Sequence, residues 1–514
     1  MSQSKSLSLK SLFVLLYNFT GGIVGYVTMF FALKFVGQTA WGILGSAIAI
    51  SGLLGIIANF GTEQTHIKKL TQKDSFEECM GAMFILKSFL SFLFLGFSFL
   101  AFFILGDVFG FKFESPYLRT ATYIAILGTF LGSFSLMFKS TYQSRIQARR
   151  SITPQFAQLF VQDIFIILFS IYYKFNPQEN VEFVGVLFAF SFLLGHFAKL
   201  LMYSLFAVKD NFRFKKPSFG LIKEYVLFSV PLALSGFVAL IQAYTDRTML
   251  QFFWNSTEVG GYFAVQKLAL FIVYIGASLT FFLFPKQSQY YEERKEDFYN
   301  ITYRAERYLS IIATPFVFFI FAMAPELLNI YRSSMVAYSL PLIILSIYAY
   351  LTVIIRPYSS QITSANKPAE LLRVGLLQAT LNVLLNAMFI PKSLLGVPML
   401  GMKSTGAALA TLLSFTVGFI YLRYRIYKIL KMKFSKSILL HLFAGTTSAA
   451  LVFGIKYMGI SLKPWYAIVI VFLIFSATYL LLLKAVHEIK DEDVELIKDL
   501  LGPFSRYIYK KNIR

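Results

Sequence analysis

The chain has 514 residues, of which 57% are hydrophobic, 18% aromatic and only 14% charged, with a mean hydropathy of +0.64. Soluble domains carry about 25% charged residues, so an ordinary water-soluble fold is excluded and the chain reads as all-α integral membrane protein. The formal charge of +22 suits loops facing an anionic leaflet better than nucleic-acid binding, while a single cysteine, Cys79, and four scattered histidines exclude an intrachain disulfide and a metal site.

Apolar runs of the length that crosses a bilayer, about 17–25 residues, occur at 11–34, 41–60, 80–105, 119–138, 155–173, 182–208, 225–252, 260–284, 308–325, 338–355, 371–391, 404–424, 438–456 and 464–483. The first is too long and too polar within for a cleaved signal peptide and is expected to remain as helix one. The count of about 14 transmembrane helices is supported by charge. Lys and Arg gather on alternate connections, among them 61–79, 139–150, 209–224 and 425–436, which predicts a multi-pass protein of the plasma (inner) membrane with both termini cytoplasmic. The opposite connections are short, with 106–118 the longest. Residues 285–307 read as a charged linker, and 487–501 as a short amphipathic or solvated helix.

TAWGILGSAIAI (39–50) and TEVGGYFAVQKLAL (257–270) share a shape: a polar turn, a glycine, then a helix rich in small residues. Weak as it is, the repeat suggests two pseudo-symmetric six-helix lobes plus two C-terminal helices. The expected divisions are 1–215, 216–430, 431–486 and a cytoplasmic tail 487–514.

Charges inside spans cost roughly 2.5–3.5 kcal/mol each on insertion scales, so each needs a partner or a wet cavity. Lys34, near the outer end of span one, and Lys87, near the inner end of span three, have stems long enough to reach the headgroups. Asp163 in span five and Lys199 in span six lie at similar depth and are expected to meet, either as a salt bridge or with a transport role. Gln155, Gln158 and Gln162 share the Asp163 face. Asp246 and Arg247 in span seven match the depth of Gln266 and Lys267 in span eight, with Gln242 and Tyr244 one turn away. One net positive charge in that group suits an anionic substrate; a charge network closing the outer side is the alternative. Gly128 with Gly132 has the spacing of close helix packing. Pro231 and Pro315 are candidate kinks, and Pro341 a helix-start proline. No phosphate-binding loop or dinucleotide fingerprint is present.

Phe228 to Tyr291 carries an ordered set: Pro231 at a helix start, the Asp246–Arg247 pair near its end, Val259, Gly260 and Tyr262 after a short turn, Lys267 five positions on, and Phe284–Pro285. This set resembles the Wzx-type polysaccharide flippases of the multidrug/oligosaccharidyl-lipid/polysaccharide exporter superfamily. The resemblance implies a two-lobed transporter, not an enzyme, whose helices one, two, seven and eight border a central cavity. It further implies movement of a polyprenyl-diphosphate-linked oligosaccharide from the inner to the outer leaflet, by alternating access, for surface polysaccharide biosynthesis.

The expected partners are membrane lipids and the lipid-linked oligosaccharide, with a polysaccharide polymerase and glycosyltransferases as candidate protein partners. No cofactor is expected, and coupling to H+ or Na+ is left open. A cation-coupled drug exporter of the same superfamily is the nearest alternative, but it typically has twelve spans and acidic cavity residues. A membrane polysaccharide polymerase or ligase would need larger outer loops than these.

Overall fold

The computed structural model describes residues 17, 19–72, 75–104, 112–280, 283–432, 437–460, 462 and 464–489. The first group of helices is α1 (Phe19–Val36), α2 (Gln38–Leu54), α3 (Ile56–Asn59), α4 (Thr62–Thr71), α5 (Phe76–Phe103), α6 (Pro116–Ser144), α7 (Ala148–Phe175) and α8 (Val181–Lys209). There follow α9 (Phe219–Phe253), α10 (Ser256–Thr280), α11 (Leu283–Glu293), α12 (Lys295–Tyr331), α13 (Ser339–Ile354), α14 (Arg356–Ser364), α15 (Ala369–Phe389) and α16 (Lys403–Leu430). The last are α17 (Ser437–Tyr457) and α18 (Trp465–Ala485). A two-residue-per-strand antiparallel hairpin, β1 (Ser393–Leu394) with β2 (Val397–Pro398), joins α15 to α16.

Helix ends are set by local chemistry. The side chains of Ser115, Asn180 and Ser218 accept from the backbone N–H of Leu118, Glu182 and Leu221 at 3.3, 2.8 and 3.1 Å, satisfying donors that a helix start leaves without a partner. Pro116 sits in the first turn of α6, where its missing N–H costs nothing. At the close of α1 the chain loosens into a π-helical turn, Ala32–Val36, and stops at Gly37, whose φ of 115° favours glycine. The two ends of the bundle are called here the Gly37 end and, opposite, the Lys69 end.

Among the described residues twelve helices are long and apolar enough to cross a membrane, and a thirteenth span appears when α2 is counted with Ile56–Thr71, bent against it by 52°. That set does not include α10, the helix at the position expected for span eight. The chain is thus a multi-pass, all-helical membrane protein, with twelve to thirteen spans by length and hydropathy among the described residues, against the fourteen expected. Large apolar residues such as Phe89, Phe92 and Leu473 face outward, as lipid requires.

Three expectations need correction. The segment 285–307 is no extended linker: α11 and α12 run through it with a single break at Arg294. At 1.5 Å per residue α12 is about 55 Å long, well beyond a hydrocarbon core of about 30 Å, so its charged first turns project past the apolar layer. Lys87 does not reach for headgroups. It is fully buried, and its ammonium donates to the Ala58 carbonyl at 2.9 Å, a group set free where the helix breaks between α3 and α4. Pro231 does not start a helix: it lies inside α9, as Pro315 lies inside α12, the positions that a kink requires, while Pro341 does fall in the first turn of α13. Of the expected tail helix only 487–489 are described; there Glu488 pairs with Arg307 at 2.7 Å and with His441 at 3.3 Å, fastening the end of α18 to α12 and α17.

Candidate functional site

The site is built where α1 and α2 meet α9 and α10. At the Gly37 end, α2 and α10 cross backbone to backbone. A Cβ on Gly42 would lie 1.6 Å from the Ser256 carbonyl oxygen, and one on Gly260 would lie 1.9 Å from that of Gln38. Only glycine allows this approach. One turn deeper, the Trp41 and Phe263 rings stack with centroids 5.3 Å apart. Around the crossing, Thr39 and Thr257 share a 2.9 Å hydrogen bond, the Ser46 hydroxyl donates to Gln251, and the Glu114 carboxylate accepts from Gln251, the Ser256 backbone N–H and the Ser256 hydroxyl at 2.7–2.8 Å. This end is closed.

Asp246 turns away from the crossing into the helices that follow α9. Its carboxylate accepts from Tyr262 Oη at 2.5 Å, Asn386 Nδ2 at 2.7 Å, Thr411 Oγ1 at 2.6 Å and Asn382 Nδ2 at 3.2 Å. The residue is 2% exposed. Gln242, one turn earlier, donates to Gly375 O and Gln378 Oε1 at 3.4 and 3.3 Å, continuing the same seam between α9 and α15. Every partner of Asp246 lies on α10, α15 or α16, so the carboxylate binds four helices together and is fully answered by donors. Among the described residues no three His, Cys, Asp or Glu side chains are grouped to hold a metal. A hard cation at Asp246 would require both asparagines to turn their amide oxygens inward.

Arg247 points the other way. Its guanidinium carbon lies 4.6 Å from the Phe263 ring centroid and 5.4 Å from that of Tyr244, and Nη2 donates to Ala243 O at 3.2 Å. Nε and Nη1 are buried with no hydrogen-bond partner. Lys267, half-buried on the next helix, places its ammonium 4.7 Å from the Trp41 ring and 5.0 Å from Phe263. Its backbone carbonyl accepts from Tyr26 Oη on α1 at 3.0 Å. Two cations and an aromatic pair thus share one seam between the two groups of helices. Their closest contacts are ring faces, a weak substitute for a hydrogen-bonded carboxylate or phosphate, while the carboxylates of Asp163 and Asp246 act on Lys267 and Arg247 only through space.

The expected cluster of Asp246, Arg247 and Lys267 is therefore divided: among the described residues no ion pair within 4 Å joins Asp246 to either cation. The expected meeting of Asp163 and Lys199 is not found either. Asp163, 8% exposed, lies beside Thr28 on α1 and interacts electrostatically with Lys267. Lys199 instead lines a separate cavity of about 240 Å³ with His196, Asn59 and Tyr244. Gln266 is half-buried beside Lys267, and Lys34 is exposed in the last turn of α1, outside the seam. Gly128 and Gly132 do mark close packing, against Phe192 and His196 of α8. Asn382, Asn386, Thr411 and Glu114 were not anticipated. Two asparagines four residues apart in an apolar helix were the available signal, since they share a face and need a polar partner there.

The model for the family described as "polysaccharide biosynthesis protein" matches residues 8–291, more than half of the chain. The chain belongs to the polysaccharide biosynthesis protein family. The matched stretch contains α1 to α10, and so Trp41, Asp246, Arg247, Phe263 and Lys267, but not the Asp246 partners Asn382, Asn386 and Thr411. A comparison with curated protein sequences gives no match. Among solved structures, the lipid II flippase MurJ in its inward closed conformation aligns with a TM-score of 0.73 at 15% identity, over 93% of this chain and 99% of that one. An inward-facing multidrug resistance MATE family transporter of the MOP superfamily aligns with a TM-score of 0.58 at 17% identity, covering 82% and 100%. A MOP superfamily transporter from Pyrococcus furiosus, described by the reverse polarity of its binding pocket, gives 0.52 at 17% identity, covering 82% and 96%. This member of the polysaccharide biosynthesis family therefore has the all-helical fold shared by MurJ and MATE transporters.

Proposed function

We propose that the protein moves a polyprenyl-diphosphate-linked oligosaccharide from the inner to the outer leaflet by alternating access, with Arg247 and Lys267 receiving the anionic linkage. The carrying observation is the buried guanidinium of Arg247, whose Nε and Nη1 have no partner. Burying a charge without a partner costs several kcal/mol, and a site keeps such a charge where a ligand supplies the missing oxygens. A phosphate answers the guanidinium fork with two parallel hydrogen bonds.

In this reading the Lys69 end, rich in Lys and Arg, faces the cytoplasm and the glycine crossing of α2 with α10 shuts the outer side. Residues 1–215 and 216–430 act as two lobes, with 431–486 as a two-helix appendage. Separation of α2 from α10 breaks the Trp41–Phe263 stack and uncovers both cations to the outside. Membership of a polysaccharide biosynthesis family and the MurJ-like fold support the substrate class. The basic seam favours an anionic cargo over the cationic drugs of a coupled exporter.

The test is transbilayer movement of a fluorescent lipid-linked oligosaccharide in proteoliposomes containing the purified protein. Wild type should move it, and Lys267→Ala should lose most of the rate while the melting temperature stays close to wild type. Equal transport by Lys267→Ala and wild type would overturn the assignment of the seam.

A further inference from the structure

The connection from α15 to α16 lies at the Gly37 end and contains the β1–β2 hairpin, whose tip is unfavourable in water on two counts. Leu395 and Gly396 form its two-residue turn with φ of 50° and 83°. Such a turn needs two left-handed residues, which Asn-Gly or Asp-Gly ordinarily supplies. Here a leucine takes the first position, where its Cβ crowds the backbone. It is also 97% exposed, and Val397 and Leu400 beside it are 55% and 63% exposed. An asparagine at 395 would ease the turn and remove apolar surface together.

The hairpin is firmly held. Met399, Leu400, Gly401 and Met402 donate their backbone N–H groups to the carbonyls of Lys392, Met388, Pro391 and Phe389 at 2.7–3.1 Å, so the returning limb folds over the last turn of α15. Leu400 thereby lies beside Met388, the last of an exposed apolar stripe on α15 that includes Leu376, Val383 and Leu384 at helical spacing. With 21 residues, α15 is about 32 Å long, just enough to span a hydrocarbon core of about 30 Å. The lipid-facing stripe therefore passes from Met388 to Leu400 and on to the tip at the level where acyl chains meet headgroups.

The polar neighbours of the hairpin suit that level. Trp254, in the turn between α9 and α10, donates through Nε1 to Ile390 O at 2.8 Å, and the ammonium groups of Lys392 and Lys403 lie 5.2 and 4.6 Å from its ring. Both lysines are exposed, and Lys403 also reaches Glu258, in the first turn of α10, at 3.4 Å. An indole flanked by lysines is typical of the membrane–water boundary, where the ring sits among headgroups and the ammonium groups meet lipid phosphate.

We infer that the β1–β2 hairpin inserts into the leaflet at the Gly37 end, with Leu395, Val397 and Leu400 among the upper acyl chains and Lys392 at the phosphates. The partner is the lipid surface, and the inference does not depend on what the protein transports. Through Trp254 and Glu258 the inserted hairpin is joined to the α9–α10 turn and so to Ser256, whose carbonyl meets Gly42. The leaflet thus holds one side of the α2–α10 crossing at a fixed depth.

An environment-sensitive fluorophore on Leu395→Cys, with Val397→Cys as a second site, tests this in the full-length protein in phosphatidylcholine–phosphatidylglycerol vesicles. Cys79 is buried and adds little background; Gln178→Cys, exposed at the same end between α7 and α8, is the aqueous control. A phospholipid with a nitroxide high on its acyl chain should quench both hairpin labels several-fold more than the control label, and aqueous iodide should do the reverse. Iodide quenching at the hairpin equal to the control, without quenching by the nitroxide lipid, would put the tip in water and overturn the inference. Protection from both quenchers would overturn it as well, because a second copy of the chain or another protein would then cover the tip.

Discussion

Asp246 and Arg247 are neighbours in sequence and opposite in circumstance: the carboxylate accepts four hydrogen bonds from three helices, whereas the guanidinium keeps two buried nitrogens without a partner. One peptide unit on α9 thus separates a structural clasp from an unsatisfied charge, because successive residues on a helix point about 100° apart.

Stability should divide along that line. Asp246→Ala leaves four buried donors without an acceptor and should cost about 3–5 kcal/mol, seen as a large fall in melting temperature in detergent and in membrane abundance. Arg247→Gln removes a buried charge that has no ion-pair partner within 4 Å among the described residues, so the melting temperature should hold or rise while transport falls. A drop for Arg247→Gln as large as that for Asp246→Ala would place Arg247 in the scaffold.

Asp246 and Lys267 share no partner, so their effects should add. In a double-mutant cycle with Asp246→Asn and Lys267→Gln, the coupling in stability should be below about 0.5 kcal/mol. A coupling several times larger would reveal an ion pair between them in the state that dominates in solution.

The crossing of α2 with α10 has no space for a methyl group. Gly260→Val should prop the Gly37 end open, since the added carbons meet the Gln38 carbonyl. A cysteine pair at Thr39 and Thr257, whose hydroxyls are 2.9 Å apart, should crosslink readily in the parent and poorly in Gly260→Val. Equal crosslinking in both would show that the helices accommodate the side chain.

Orientation is open to direct labelling, because the lone Cys79 is buried and gives little background. A cysteine at exposed Arg149, by the Lys69 end, should resist a membrane-impermeant thiol reagent in intact cells and react after permeabilisation. One at exposed Gln178, at the opposite end, should react in both. The reverse pattern would invert the topology and, with it, the direction of transport.

Hydropathy made the helices legible, since a run long enough to cross lipid has little freedom to be anything else. The depth of Asp246, Arg247, Gln266 and Lys267 was legible as well, from their positions along two neighbouring spans. Their facing was not. Depth counts residues along an axis, whereas pairing depends on rotation about it and on partners such as Asn382, Asn386 and Thr411, more than a hundred residues away. Asp163 shows the same limit: it matches Lys199 in depth yet lies by Lys267. Lys87 misled for another reason, because its partner is a backbone carbonyl released by a helix break, which side-chain spacing does not record.

The glycine contact between α2 and α10 also bears on the membrane as an electrical insulator. With the Gly42 and Gly260 backbones in contact, no side chain stands between the helices to flicker aside, and a continuous file of water molecules has nowhere to form. If the protein admits a large polar head as proposed, a seal of backbone rather than of mobile side chains lets it open widely without leaking when shut. Under the proposed function, this backbone contact keeps a file of water, and with it protons, out of the α2–α10 crossing for as long as it is shut.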